Sequence, residues 1–219
     1  GLEESRQVLY FMGPVGSGKS SLADCMKEGF ESLPPFYALQ GCPMHEEPLH
    51  LVPRHLRPMF EKMYDVSIRG DLCPVCRERL MRNSAEGGFG GEYEYFPVET
   101  RTFSIRHRRG VAVVPPVDPN NQDTSVLTGG INVSKMHKFP EGDPRILELD
   151  GAFNVGNRGI VEFIEIFKNQ PEYLHTVITA TQEHCVKAPG RHGMLDVDCV
   201  IVAHSNEEEW NKFKADHTN

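Results

Sequence analysis

Residues 13–21 read GPVGSGKSS and fit G-x-x-x-x-G-K-[ST], with Gly13, Gly18, Lys19 and Ser20 in the defining positions. A loop of this kind holds phosphate mainly with its backbone. Gly16 and Gly18 carry no Cβ, so successive N–H groups can close around phosphate oxygens, and a following helix adds the partial positive charge of its first turn. In this reading Gly13, Gly16, Ser17 and Gly18 form the cradle for ATP or ADP. Lys19 reaches the β- and γ-phosphates, Ser20 ligates Mg²⁺ and Ser21 approaches the α-phosphate. A second set of residues has the spacing of a metal site: CPMH supplies Cys42 and His45, and CPVC, 27 residues later, supplies Cys73 and Cys76. Two short Cys-Pro knuckles can offer four tetrahedral donors to Zn²⁺; four protein ligands leave no open position, which makes such a metal structural. His50 and His55 are rival histidines, and plain buried thiols are the competing reading. Cys25, Cys185 and Cys199 stand alone on apolar stretches and read as core thiols. The third set is the pair of carboxylates in NRGIVEFIEIFK, residues 157–168, where Glu162 and Glu165 are candidates for magnesium binding and water activation.

Elements of defined type must hold these groups. The apolar run VLYFM at 8–12 reads as a strand leading into the loop, and SSLADCMKEGFESL as the helix leaving it, with Leu22, Cys25, Met26 and Phe30 along one face and Pro34-Pro35 as its stop. A strand-loop-helix unit of this type fixes the fold class as α/β with a parallel sheet flanked by helices. Further strands are expected at FYALQ (36–40), GIVEFIEIF (159–167) and DCVIVAHSN (198–206). The last ends in Ser205-Asn206. A polar residue at the carboxyl end of a sheet strand lies on the ligand side, so Asn206 is a candidate to orient the attacking water or touch the γ-phosphate. Its competing role is to cap the helix EEEWNKFK.

More than a hundred residues separate the second and third expected strands, too many for a crossover, so a zinc-binding insertion after the second strand is expected over 42–97. Beyond it, TRTFSIRHRRGVAVV is alternating and basic. Its Arg101, Arg106, Arg108 and Arg109 are read as pairing with carboxylates or a neighbouring subunit rather than with nucleic acid. PPVDPNNQD reads as a turn-rich link. With 31 acidic against 23 basic residues, the formal net charge of -8 disfavours nonspecific nucleic-acid binding. No run of eighteen apolar residues and no apolar leader stands out, so a membrane span is not expected, and the six cysteines suit a reducing cytoplasm. The chain begins at Gly1 a few residues before its first strand, which reads as a domain cut from a longer protein.

The blocks GPVGSGKSSLA, FYALQGCP, DPNNQDTSVLTGGINVSK, GAFNVGNRGIVEFIEIFK, TATQE and VAHSNEEEW together resemble the bacterial PrkA family, AAA+ proteins known as serine protein kinases. The resemblance spans most of the chain; it departs at CPMH and CPVC, which suggests a zinc-bearing branch. It implies an AAA+ ATPase core over 1–219, self-association into a ring in the longer protein, and a protein substrate. Related AAA+ strands end in Asp-Glu, which lays Ile164 on the aspartate and Glu165 on the glutamate. The resemblance also implies an arginine finger, a helical lid with a second sensor, and the kinase-associated region, all beyond Asn206, whereas this chain ends thirteen residues past it. Slow hydrolysis by the isolated domain is the expectation. Two alternatives remain: a ring translocase gripping a polymer with a hairpin at 183–197 and the basic ribbon, and a zinc-centred interaction module with nucleotide as a switch.

Overall fold

A computed structural model of the chain describes residues 8–87, 96–116, 123–169 and 171–217. Most of the glycine-rich stretch, at 88–95, and most of the turn-rich link, at 117–122, lie outside the described residues. Strand β1 (Val8–Met12) runs into the loop 13–18 and then helix α1 (Lys19–Glu31). β2 (Phe36–Leu39) and β3 (Val98–Arg101) bracket a long segment carrying helices α2 (Arg57–Tyr64) and α3 (Pro74–Gly87). β4 (Val111–Val114) follows, then α4 (Ser125–Thr128), β5 (Gly130–Ile131), β6 (Leu147–Glu148), α5 (Ala152–Val155) and β7 (Ile160–Ile164). Last come α6 (Pro171–Glu183), β8 (Cys185–Lys187), β9 (Met194–Asp196), β10 (Val200–Ser205) and α7 (Glu207–His217).

Four strands form the central sheet in the order β1-β10-β7-β4, every pairing parallel. The register sets Met12 beside Ser205, His204 beside Ile164 and Phe163 beside Val114, so the four carboxyl ends share one edge. The loop 13–18, Asn206 and Glu165 therefore leave the sheet on the same side. Strand alternation then sorts the interior. Ile160 and Val202 pack with Ala23 of α1, and Met26 and Phe30 lean on that cluster. Val161, Phe163 and Ala203 face the other way, into a larger core with Phe153 of α5 and Tyr173, Val177 and Ala180 of α6. Among the described residues β1 has a single neighbouring strand, and its Leu9, Tyr10 and Met12 are 40%, 36% and 49% exposed.

Several expected elements sit elsewhere. FYALQ is a strand, but β2 pairs antiparallel with β3 and takes no place in the central sheet; the fourth sheet strand is VAVV, inside the basic ribbon. Three of the four residues of β4 are buried, as a strand covered on both faces requires, whereas in β2 Tyr37 is 66% exposed and only Ala38 and Leu39 are fully buried. The inner face of helix α1 is shifted from the expected one: Ala23 and Lys27 are buried and Met26 and Phe30 pack beside them, whereas Leu22 is half exposed and Cys25 is exposed. Cys185 and Cys199 are only partly buried. The hairpin expected within 183–197 is present as β8 and β9.

The cysteine-bearing segment shares the main core. Cys42, Met44, Leu72, Cys73, Cys76 and Phe96 belong to the same buried cluster as Val114 and Phe163. Asn157, just before β7, ties it to the sheet: its Nδ2 donates to the Met44 carbonyl at 2.7 Å, and its Oδ1 accepts from the Asp198 N–H at 2.8 Å. The segment is thus fastened at the amino end of β7. No helix of the described residues is long and apolar enough to cross a membrane.

Candidate nucleotide site and a buried cysteine cluster

At the carboxyl edge of the sheet, Gly16 and Gly18 have φ of 81° and 85°, in the left-handed region where only glycine is unstrained. Gly18 is the residue before α1, and no side chain caps that helix or places a carboxylate in its first turn. The first-turn N–H groups and the positive end of the helix dipole therefore face the loop without competition from the protein's own side chains. The Lys19 ammonium lies over the same loop, donating to the carbonyls of Gly13 and Pro14 at 2.7 Å each and to Ser17 Oγ at 3.3 Å. Ser20 and Ser21 are exposed at the helix start. All of these groups belong to the nine consecutive residues 13–21.

The two carboxylates of β7 have separate occupations. Glu165 stands just past the strand with φ 49°, and its half-exposed carboxylate pairs with Lys168 one turn on. Glu162, two residues before Ile164 on the same strand face, is 2% exposed. Its Oε2 accepts from Lys27 Nζ at 2.5 Å and its Oε1 faces His204 Nε2 at 3.0 Å. Lys27 also contacts Asp24 at 2.8 Å. Burial works against the charge on Lys27, but hydrogen bonds and the charges of Asp24 and Glu162 outweigh it and hold the ammonium above the usual lysine value. Glu162 therefore fastens α1 to β7 and β10 beneath the phosphate loop, and both of its oxygens have protein partners. Asn206 has its capping occupation: its Oδ1 accepts from the Glu209 N–H at 2.8 Å and closes the start of α7.

The cysteine knuckles do meet, with one substitution in the expected set. Ligand atoms of Cys42, Glu46, Cys73 and Cys76 all lie within 4.8 Å of one another, and all four residues are buried. Cys42 Sγ is 3.2 Å from Glu46 Oε2, the Cys73 N–H donates to Glu46 Oε1 at 2.5 Å, and the Cys76 N–H donates to Cys73 Sγ at 3.4 Å. Burial opposes ionisation of Cys42, yet the thiols of Cys73 and Cys76 donate to it and hold it well below a free thiol. Their own pKa values are raised, first by that hydrogen bonding to Cys42. His45 is not in the cluster. Its φ of 53° reverses the chain there, which sends its ring to Arg101 and brings Glu46 back toward Cys42. Burial, and then the positive charge of Arg101, lower His45 to about 4. Of the rival histidines, His55 is exposed, and His50 Nε2 is bonded to the Arg69 carbonyl at 2.7 Å with Nδ1 3.7 Å from Glu46 Oε1.

Glu46, Lys27 and His204 are the residues that sequence reasoning missed. His204 interrupts the apolar run of β10, which is a signal, whereas Lys27 is followed by Glu28 and Gly29 and gives none, and their shared partner Glu162 is remote in sequence.

A family model described as the PrkA AAA domain matches residues 1–219. The chain belongs to the PrkA AAA domain family. This PrkA AAA domain is 40% identical over 224 residues to a Bacillus subtilis (strain 168) protein named ATP-dependent protease PrkA, covering 100% of the chain and 34% of the relative. It is 36% identical over 227 residues to the serine/threonine kinase YeaG of Escherichia coli (strain K12), again covering 100% of the chain and 34% of the relative. The chain thus spans about a third of the length of these relatives. Among solved structures, a cryo-EM-based model of the BchI–BchD complex of magnesium chelatase aligns over 93% of the PrkA AAA domain and 48% of that chain, with a TM-score of 0.56 and 14% identity. That likeness supports the fold, an AAA+ P-loop NTPase with a parallel sheet flanked by helices.

Proposed function

We propose that this domain binds MgATP across the carboxyl edge of its sheet and turns it over slowly by itself, serving as the nucleotide-driven core of a longer PrkA-type protein. The observation that carries the reading is the convergence at one sheet edge of an uncapped helix start, a glycine-built loop under Lys19, and a carboxylate, Glu165, two strands over.

On phosphate entry Lys19 would exchange its bonds to the Gly13 and Pro14 carbonyls for bonds to β- and γ-phosphate oxygens, while the N–H groups of 16–21 bind the remaining oxygens. Ser20 would supply the hydroxyl ligand to magnesium, whose bound charge offsets that of the phosphates. Glu165 would polarise the attacking water once its carboxylate leaves Lys168. Ile164 stands where related strands keep an aspartate, so the protein offers the metal fewer direct ligands. Asn206 leaves the neighbouring strand at the same edge; with Oδ1 used by the cap, its amide N–H₂ is the part that could face the γ-phosphate or water. A charge-stabilising arginine from a neighbouring subunit is worth about a thousandfold or more in turnover. Slow hydrolysis by the isolated domain and acceleration in a ring follow from that.

The names of the relatives, a protease in one case and a protein kinase in the other, both describe action on polypeptides. The domain would supply either with nucleotide binding, and its own substrate would come from the remainder of the longer protein. Calorimetric titration with MgATP tests the core of the reading: one site per chain is expected, and Lys19→Ala should weaken it about 100-fold by removing charge-assisted bonds worth about 3 kcal/mol. Equal affinity in mutant and parent would show that nucleotide binds elsewhere.

A further inference from the structure

The cysteine cluster lies away from the nucleotide edge, bound to the amino end of β7 through the Met44 carbonyl and Asn157. Its donors come from two separate segments: Cys42 and Glu46 from the turn after β2, and Cys73 and Cys76 from the entry to α3. Three sulfurs and one carboxylate oxygen within 4.8 Å of each other match the edges of a single tetrahedral site, since Zn–S bonds of about 2.3 Å place sulfurs about 3.8 Å apart. The carboxylate is already oriented for this. Oε2 points at Cys42 Sγ, 3.2 Å away, while Oε1 is held from behind by the Cys73 N–H at 2.5 Å, with His50 Nδ1 at 3.7 Å, buried and without a hydrogen-bond partner. Such outer contacts are what fix a ligand's direction in metal sites.

We propose that Cys42, Cys73, Cys76 and Glu46 bind one zinc ion, with Glu46 a monodentate ligand through Oε2 and His50 its outer partner. All four ligands are buried and fill a tetrahedron, so the ion is structural: it staples the turn after β2 to the start of α3, and through Met44 and Asn157 braces the amino end of β7. Three soft thiolates select zinc over magnesium or calcium. The inference is independent of nucleotide binding, which uses the opposite end of the sheet.

The test is elemental analysis and zinc-edge X-ray absorption on the 219-residue chain purified without chelator, with Glu46→Gln, His45→Gln and Cys76→Ser variants. The expected result is about one zinc per chain with three sulfurs and one light-atom neighbour, without the outer-shell scattering of an imidazole. His45→Gln should keep the metal. Glu46→Gln should lower zinc affinity by at least the roughly 10–100-fold that loss of an outer partner costs. Cys76→Ser should lose it; should that variant fail to fold, cobalt titration of the metal-stripped parent replaces it, with thiolate-to-cobalt charge-transfer absorption expected. Protein that carries no zinc and gives no such absorption overturns the site. Three sulfurs accompanied by the outer-shell scattering of an imidazole, or loss of zinc in His45→Gln but not in Glu46→Gln, overturns the ligand set.

Discussion

The two edges of the central sheet carry candidate sites built in opposite ways. At the carboxyl edge, the glycine loop after β1 is exposed, built from consecutive residues, and presents backbone N–H groups whose direction is set by Gly16 and Gly18. At the amino edge, the cysteine cluster is buried, assembled from segments 27 residues apart, and made of side chains packed into the main core. A site whose geometry lies in local backbone conformation can be read from a short motif. A site assembled through tertiary contact is fixed by turns whose handedness a spacing rule does not encode.

Glu162 and Glu165 give the same lesson three residues apart. In a longer, ring-forming protein, Glu165→Gln should lower ATP turnover about 10²–10⁴-fold, the usual worth of a positioned base, while ATP stays bound. Steady-state hydrolysis assays beside equilibrium binding would check it, and Glu162→Gln proving more damaging to turnover at equal stability would reverse the assignment of the two. Stability is where Glu162 should register. Lys27→Ala strands its carboxylate in the core and should destabilise the domain by about 3–5 kcal/mol in chemical denaturation. A change below about 1 kcal/mol would mean the Lys27–Glu162–His204 contact contributes little. The smallest effect belongs to Asn206→Ala, which removes the α7 cap at about 1 kcal/mol. A loss of ATP affinity larger than that change in stability would show that the amide also touches nucleotide.

The strand-loop-helix unit, β7, β10 and the carboxyl-edge position of Glu165 were legible because each is announced by a continuous pattern. β4 was hidden because VAVV adjoins a basic stretch, and FYALQ misled because a run of four apolar residues does not say which strand it will pair with. The inner face of α1 was misjudged because Lys27 looks like a solvent residue until its partner, 135 positions away, is known. Glu46 was missed for a similar reason: CPMH offers a C-x2-H pair by spacing, and only the left-handed conformation at His45 reveals that the next residue points inward.

Hydrogen exchange on the 219-residue chain, with and without saturating MgATP, compares both edges of the sheet in one experiment. Bound nucleotide should slow exchange across 13–21 and at the residues around Glu165 and Asn206, and leave 42–76 unchanged. Protection concentrated in 42–76, with none in 13–21, would contradict the assignment of nucleotide to the carboxyl edge.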